Sequence, residues 1–371
     1  MANSFKTLLP EDVANTRTLL HEAIPITGTI VSGTYGVAGV SENNIKEYSS
    51  GMVQSVYDYP YLSSSANHIF DITFGYASGS TFSGTDNTQN TKKINIYNQM
   101  AMVLNNRDLT GGIKLFDKDG AENTADDDDM RYCVFLSLAR LLNKDEIKKD
   151  SFRWQLFTTA SSLAGLGAPA ALRTLGDYNA QTDYRTNSPA GEFALLYTSS
   201  DDSGWSDRES YGHIYYQAGI VVLTASLFSG AFGAKDNTGT WQGVNAPSTL
   251  DAGYMTSSIR QMMKTGTINQ IADGLRYAFR NLSCNNTTEL NSTIYFARAH
   301  NTEFNYSANS TYLSSSQIRV KGNNPSADPV SYITSVGLYS PDNELMAVAK
   351  LSEPLKKSPS NEITLRVRLD Y

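Results

Sequence analysis

Hydrophobic and polar positions change period several times along the chain, and each change marks an element. Residues 11–23, EDVANTRTLLHEA, follow Pro10 and stop before Pro25, which predicts a first helix bounded by prolines. Residues 27–76 carry short β-type runs, GTIVSGTYGV, MVQSVYDY and HIFDITFG, parted by Gly, Asn and Ser clusters, and predict strands joined by turns. The polar stretch 78–91, SGSTFSGTDNTQNT, lacks a period and predicts an exposed loop. In KKINIYNQMAMVL, Ile94, Tyr97, Ala101 and Leu104 recur three and four residues apart, predicting a second helix that ends at Asn105 and Asn106.

Beyond it, MRYCVFLSLARLL (130–142) is continuously apolar and is read as a buried strand, although periodicity alone does not separate strand from helix. The Ala/Gly-rich segment 163–188 and the segment 199–210 around Trp205 predict surface loop insertions. A third helical region covers 254–281, with Thr267 and Gln270 spaced as a capping box, Ile271, Leu275 and Phe279 at four-residue steps, and Gly266 breaking it in two. From 288 onward the text is almost purely β. The last strand alternates, with Ile363, Leu365, Val367 and Leu369 on one face and Thr364, Arg366, Arg368 and Asp370 on the other, so one face should be buried on a core. The expected fold class is α+β, mostly antiparallel β with about three helical segments. It would comprise a mixed α/β region, 1–287, and a C-terminal antiparallel β domain, 288–371.

Composition narrows the function. At 371 residues with 40% apolar side chains the chain can build real cores, but charged residues reach only 18%. Ser, Thr, Asn and 22 Tyr supply the rest of the polar surface, a mixture suited to half-buried strands and wet contact surfaces. The net charge of -7 argues against a nucleic-acid partner, because phosphate binding needs clustered Lys and Arg. The start shows no basic cluster followed by an apolar stretch, and the longest apolar run, 214–228, is interrupted by Gln217, Gly219, Thr224 and Ser226. A soluble protein made in a cytosol, without a membrane partner, is expected. Cys133 and Cys284 lack metal or disulfide spacing and read as buried free thiols.

Candidate chemistry is sparse. GLGAPA (165–170) matches a loose dinucleotide pattern, but no β-branched strand precedes it and Pro169 interrupts it, so a loop is the better reading. Asp117 and Asp119 with the acids at 126–129 offer oxygen ligands without EF-hand spacing, and read as a turn and a solvated loop. The four histidines, His21, His68, His213 and His300, come with no serine in a nucleophile elbow. No internal repeat suggests a polysaccharide-cleaving β-helix. No catalytic, cofactor-binding or metal residue is assigned, and a non-enzymatic protein without cofactor is expected.

The segments TRTLLHEAIPITGTIVSGTY, SVYDYPYLSSSANHIFDITFG, KKINIYNQMAMVL, LLNKDEIKK, TNSPAGEFALLY, IYYQAGIVVLTASLF, NNTTELNSTIYF, VSYITSVGLYSPDNELMAVAKLSEPLKK and TLRVRLDY cover most of the chain. Together they resemble virion structural proteins of contractile-tailed phages of marine bacteria, cyanophages especially. The closing GLY-turn-ELMAVAKL hairpin and last strand are similar to modules of baseplate and tail-attachment proteins. The resemblance implies a structural part of the virion, in the tail or baseplate, assembled in the host bacterial cytoplasm. Its partners would be other tail, baseplate or neck proteins and further copies of the chain in a homo-oligomer or symmetric ring. A neck or collar protein, a capsid-associated decoration protein, and a glycan-binding adhesin using Trp205, Trp241 and exposed tyrosines are the alternatives. The last strand is the candidate assembly element, through Arg366, Arg368 and Tyr371. It either pairs with a neighbouring subunit or is an interior strand of its own domain.

Overall fold

The computed structural model of the chain describes residues 5–27, 44–80, 83–84, 87–120, 129–159, 170–199, 210–228, 263–306, 313–314, 317–318 and 328–371. In chain order the described strands begin with β1 (Val13–Ile24), β2 (Ile45–Glu47), β3 (Gln54–Tyr57), β4 (His68–Tyr76), β5 (Phe116–Asp117), β6 (Asp129–Met130) and β7 (Tyr132–Leu138). They continue with β8 (Glu146–Ile147), β9 (Arg153–Thr159), β10 (Ala170–Gly176), β11 (Arg185–Ser188), β12 (Gly191–Ser199), β13 (Ser210–Tyr215) and β14 (Ile220–Thr224). The last are β15 (Phe279–Ala299), β16 (Leu313–Ser314), β17 (Gln317–Ile318), β18 (Ser331–Tyr339), β19 (Leu345–Lys357) and β20 (Ile363–Asp370). Helices are α1 (Asn90–Leu104), α2 (Arg140–Asn143) and α3 (Ile268–Ala278). The fold is α+β, dominated by antiparallel strands.

The chain divides into two compact units, Leu20–Thr288 and Met1–Leu19 with Glu289–Tyr371, so that the division falls within β1 and β15. In the larger unit the sheet order is β15-β9-β10-β12-β13-β14-β7-β4-β3-β2. Strand alternation sends Phe70, Ile72, Phe74, Val134, Leu136 and Leu223 into one core, which also takes Ile271, Ala272 and Leu275 of α3. The intervening Cys133, Phe135, Val222 and Tyr215 join a second core with Ile96, Tyr97, Ala101 and Leu104 of α1. Gly75 permits α1 to lie close: a Cβ there would sit 2.6 Å from the Lys93 carbonyl oxygen and 2.7 Å from the Tyr97 nitrogen. The helix start is tied to the turn before α3, since Lys93 Nζ donates to the carbonyls of Met263 (2.7 Å) and Gly266 (2.8 Å). Burial lowers the Lys93 pKa to about 8. Thr267 and Gln270 form the capping box of α3 as its spacing predicts, and Phe279 opens β15 rather than prolonging the helix.

Three sequence expectations are corrected. Residues 11–23 are a single 3-10 turn, Pro10–Asp12, followed by β1, not a helix. The Leu9 amide donates to the Asp12 carboxylate (3.2 Å), closing the turn, and the β-branched Val13, Thr16 and Thr18 then extend the chain beside β15. The segment 163–188 is not one loop: β10 and β11 lie in it, with Leu175 fully buried. In the predicted exposed loop 78–91, Ser80 and Asn87 are buried, Asn87 Nδ2 donates to Tyr76 Oη (3.5 Å), and Asn90 opens α1. The acids 126–128, residues 165–169 and Trp205 lie outside the described residues; Ala170 begins β10. The apolar run 130–142 holds β7, then α2, and Cys133 and Cys284 are buried free thiols. Among the described residues no helix is long and apolar enough to cross a membrane.

Candidate assembly surface

In the smaller unit β20 pairs antiparallel with β15, from Ser292 opposite Asp370 to Ala299 opposite Ile363. Among the described residues β15 is the one strand that β20 pairs with, and none of them pairs with its other edge. The alternation read from sequence holds in exposure, but the apolar face is only half-buried at Ile363, Leu365 and Val367, and Leu369 is exposed. The expected packing of this face onto a full core is therefore corrected. Each of these side chains gains only part of the ~1.5–3 kcal/mol that full burial brings.

The two arginines differ. Arg368 is occupied within the chain, its Nε donating to Asp370 Oδ1 (2.6 Å) and its Nη2 to Ser292 Oγ (3.0 Å). The Ser292 hydroxyl and then Arg368 hold the Asp370 carboxyl below its ordinary range. Arg366 is exposed. Tyr371 anchors the strand end through its amide to the Asn291 carbonyl (2.9 Å), and its Oη lies 3.1 Å from Thr293 Oγ1. Sequence reasoning named these three together; the geometry leaves Arg366 available to a partner and commits the other two largely to β15.

The hairpin of β18 and β19, noted in the sequence as GLY-turn-ELMAVAKL but given no site residue there, carries a second surface. Ala349 lies opposite Val336 and Ala347 opposite Leu338 on a half-buried face, while Val348 lies opposite Gly337 on an exposed one. Where Tyr339 meets Leu345 the register shifts and Met346 becomes an extra residue, a β-bulge. The Tyr339 ring and Leu345 lie over Gly337, within 2.9 and 3.2 Å of where its Cβ would be. The Phe5 ring is 4.8 Å from that of Tyr339. A continuous apolar patch results, with Leu345 53%, Met346 70% and Val348 54% exposed. The signal is present in ELMAVAKL, which carries apolar residues on both strand faces.

Ile294 and Ala299 are the buried apolar residues of the smaller unit among the described residues. A β unit of this size ordinarily needs a larger core to offset its chain entropy.

The polar clusters of the larger unit are occupied by structural contacts. Ser55 Oγ donates to Asp71 Oδ1, and His68 Nε2 lies 2.8 Å from the same oxygen, which raises the His68 pKa. Asp71 thus stands between hydroxyl and imidazole, whereas a catalytic base must face its nucleophile. His213 is buried, its Nε2 donating to the Asp117 carbonyl (2.6 Å), and burial lowers its pKa to about 4. Asp117 faces Asp129 across β5 and β6, and burial together with Asp119 raises its pKa to about 6. Among the described residues no group of three His, Cys, Asp or Glu side chains is placed to hold a metal ion. His300 Nδ1 lies 2.5 Å from the Glu362 carboxylate and His21 Nδ1 3.1 Å from Thr287 Oγ1. Trp241, like Trp205, lies outside the described residues. No family model, curated protein or solved structure matches the chain.

Proposed function

We propose that this chain is a non-enzymatic structural component of a tailed phage particle, placed in the tail or baseplate and acting through subunit interfaces formed by its smaller unit. The observation that carries the interface part is the contrast between abundant apolar side chains on β18, β19 and β20 and the two buried apolar residues among the described residues of that unit. Strands with apolar residues exposed on one face and half-buried on the other gain most by covering them with another subunit. The place in the particle rests on the resemblance of segments such as SVYDYPYLSSSANHIFDITFG and VSYITSVGLYSPDNELMAVAKLSEPLKK to virion proteins.

Gold-labelled antibody against the purified chain, applied to intact particles and viewed by electron microscopy, tests the reading. Label confined to the tail or baseplate is the expected result. Label on the head moves the protein to the capsid, label at the junction moves it to the neck, and absence from purified particles overturns the structural role.

A further inference from the structure

We propose that the exposed face of the β18–β19 hairpin is a two-fold self-interface, docking on the same face of a second copy of this chain. The proposal rests on the assembly reading of the smaller unit and names its partner.

The apolar centre of the face is Tyr339, Leu345, Met346 and Val348, continued by Phe5. Their exposed area is on the order of 600 Å² per copy, so two copies reach the low end of what specific interfaces bury before polar neighbours are added.

Charge selects the occupant. The turn end of the hairpin carries the exposed Asp342 and Glu344, and beyond the apolar centre stand the exposed Lys350 and Lys356, with the exposed Glu353 in the register shift between them, so that this end is basic by one net charge. Among the described residues none of these five side chains makes an ion pair within the chain. A partner of uniform charge would be attracted at one end and repelled at the other. A second copy, turned by a two-fold axis lying in the interface and crossing the strands at Met346, meets both ends with the opposite charge. Lys350 lies four strand residues from Met346, roughly 14 Å from the axis at ~3.4 Å per residue, and the acidic turn holding Asp342 and Glu344 closes the hairpin at a shorter distance on the other side, so the rotation sets Lys350 of each copy against the acidic turn of the other. Met346 then packs on its own counterpart. Its place in the β-bulge fits this position, because the extra residue is left out of the strand pairing, which resumes at Ala347 opposite Leu338.

Three variants of the full chain test the proposal, with molecular mass measured by sedimentation velocity over a concentration series. Lys350→Glu sets like charges together at both ends and should raise the dimer dissociation constant on the order of tenfold. Adding Asp342→Lys should restore it. Met346→Lys should abolish the dimer, since two ammonium groups then meet on the axis. Because Met346, Lys350 and Asp342 are exposed, the monomer should keep its circular dichroism and melting temperature. Met346→Cys should form an intermolecular disulfide under mild oxidation, whereas Leu141→Cys, also well exposed at 62% but in the larger unit, should not.

An oligomer that all three variants leave intact and that Met346→Cys does not cross-link overturns the self-interface while leaving assembly through another surface standing. A chain that is monomeric at all concentrations, yet lost from particles by Lys350→Glu, overturns the second copy as occupant in favour of a different virion protein. A monomeric chain absent from particles overturns the assembly reading itself.

Discussion

His213 and Asp177 show how single buried polar groups set the behaviour of the larger unit. His213 is folded in its neutral form, with the pKa lowered by burial from 6.5 to about 4. The unfolded state therefore binds more protons between these values, and stability present above pH 6.5 is lost as the pH falls through 4. The shift corresponds to about 3 kcal/mol. In urea titrations the stability gap between the native chain and His213→Gln should narrow by about that amount from pH 7.5 to pH 4; a constant gap contradicts the assignment. Asp177, fully buried, accepts from the amides of Asp150 (2.7 Å) and Phe152 (3.0 Å), from Tyr216 Oη (2.9 Å) and from Arg153 Nη1 (3.1 Å). Burial pushes its pKa up to about 7 against the pull of those donors. Asp177→Ala takes the acceptor from the Asp150 and Phe152 amides and the Tyr216 hydroxyl, while Arg153 Nη1 keeps the Phe152 carbonyl (2.8 Å), and should cost about 3 kcal/mol in the same titrations. A loss below about 1 kcal/mol would mean that water replaces the carboxylate.

Between elements, the sharpest constraint is the contact of α1 with β4 at Gly75. A methyl group there meets backbone atoms of α1 rather than flexible side-chain ends, so the helix must move off the sheet. Gly75→Ala should cost about 2–3 kcal/mol in thermal or urea unfolding, and an unchanged midpoint contradicts the packing. How far these elements were legible in the sequence depended on how local their determinants are. The α1 stripe of Tyr97, Ala101 and Leu104 and the Thr267–Gln270 capping box are set within one or two turns of chain, and the structure reproduces them. The strand β1 was misread because Pro10 and Pro25 bracket it as they would a helix, while β15, which it pairs with, lies more than 250 residues away in sequence. Segment 163–188 looked like a loop for its Ala and Gly content, yet Leu175 pairs with Trp154 on β9 and Thr198 on β12. The alternation of β20 was plain; its shallow burial was not, because burial depends on what lies opposite. Arg366 and Arg368 stood out as charges on an alternating strand, whereas the Met346 face drew no notice because apolar residues in a strand suggest a core.

At the scale of the whole molecule the two units should differ in dynamics. In hydrogen exchange followed by mass spectrometry, amides of β4, β7 and β14, which are paired on both edges in the larger unit's sheet, should resist exchange near the global limit. Those of β18 to β20 should exchange much faster in dilute protein and slow as concentration rises, since whatever covers their exposed face stabilises them by mass action. Equal, concentration-independent protection in both sets would contradict the account. The membership of the smaller unit also bears on synthesis. Its first nineteen residues leave the ribosome before any of the larger unit, but the rest of the unit begins at Glu289, within β15, about 270 residues later. At about 5–20 residues per second that is about 15–50 s, during which the larger unit is made while β1 waits without β15. On the proposed self-interface, nascent chains crowded on one messenger cannot lock together through this unit before its strands from Glu289 onward are made.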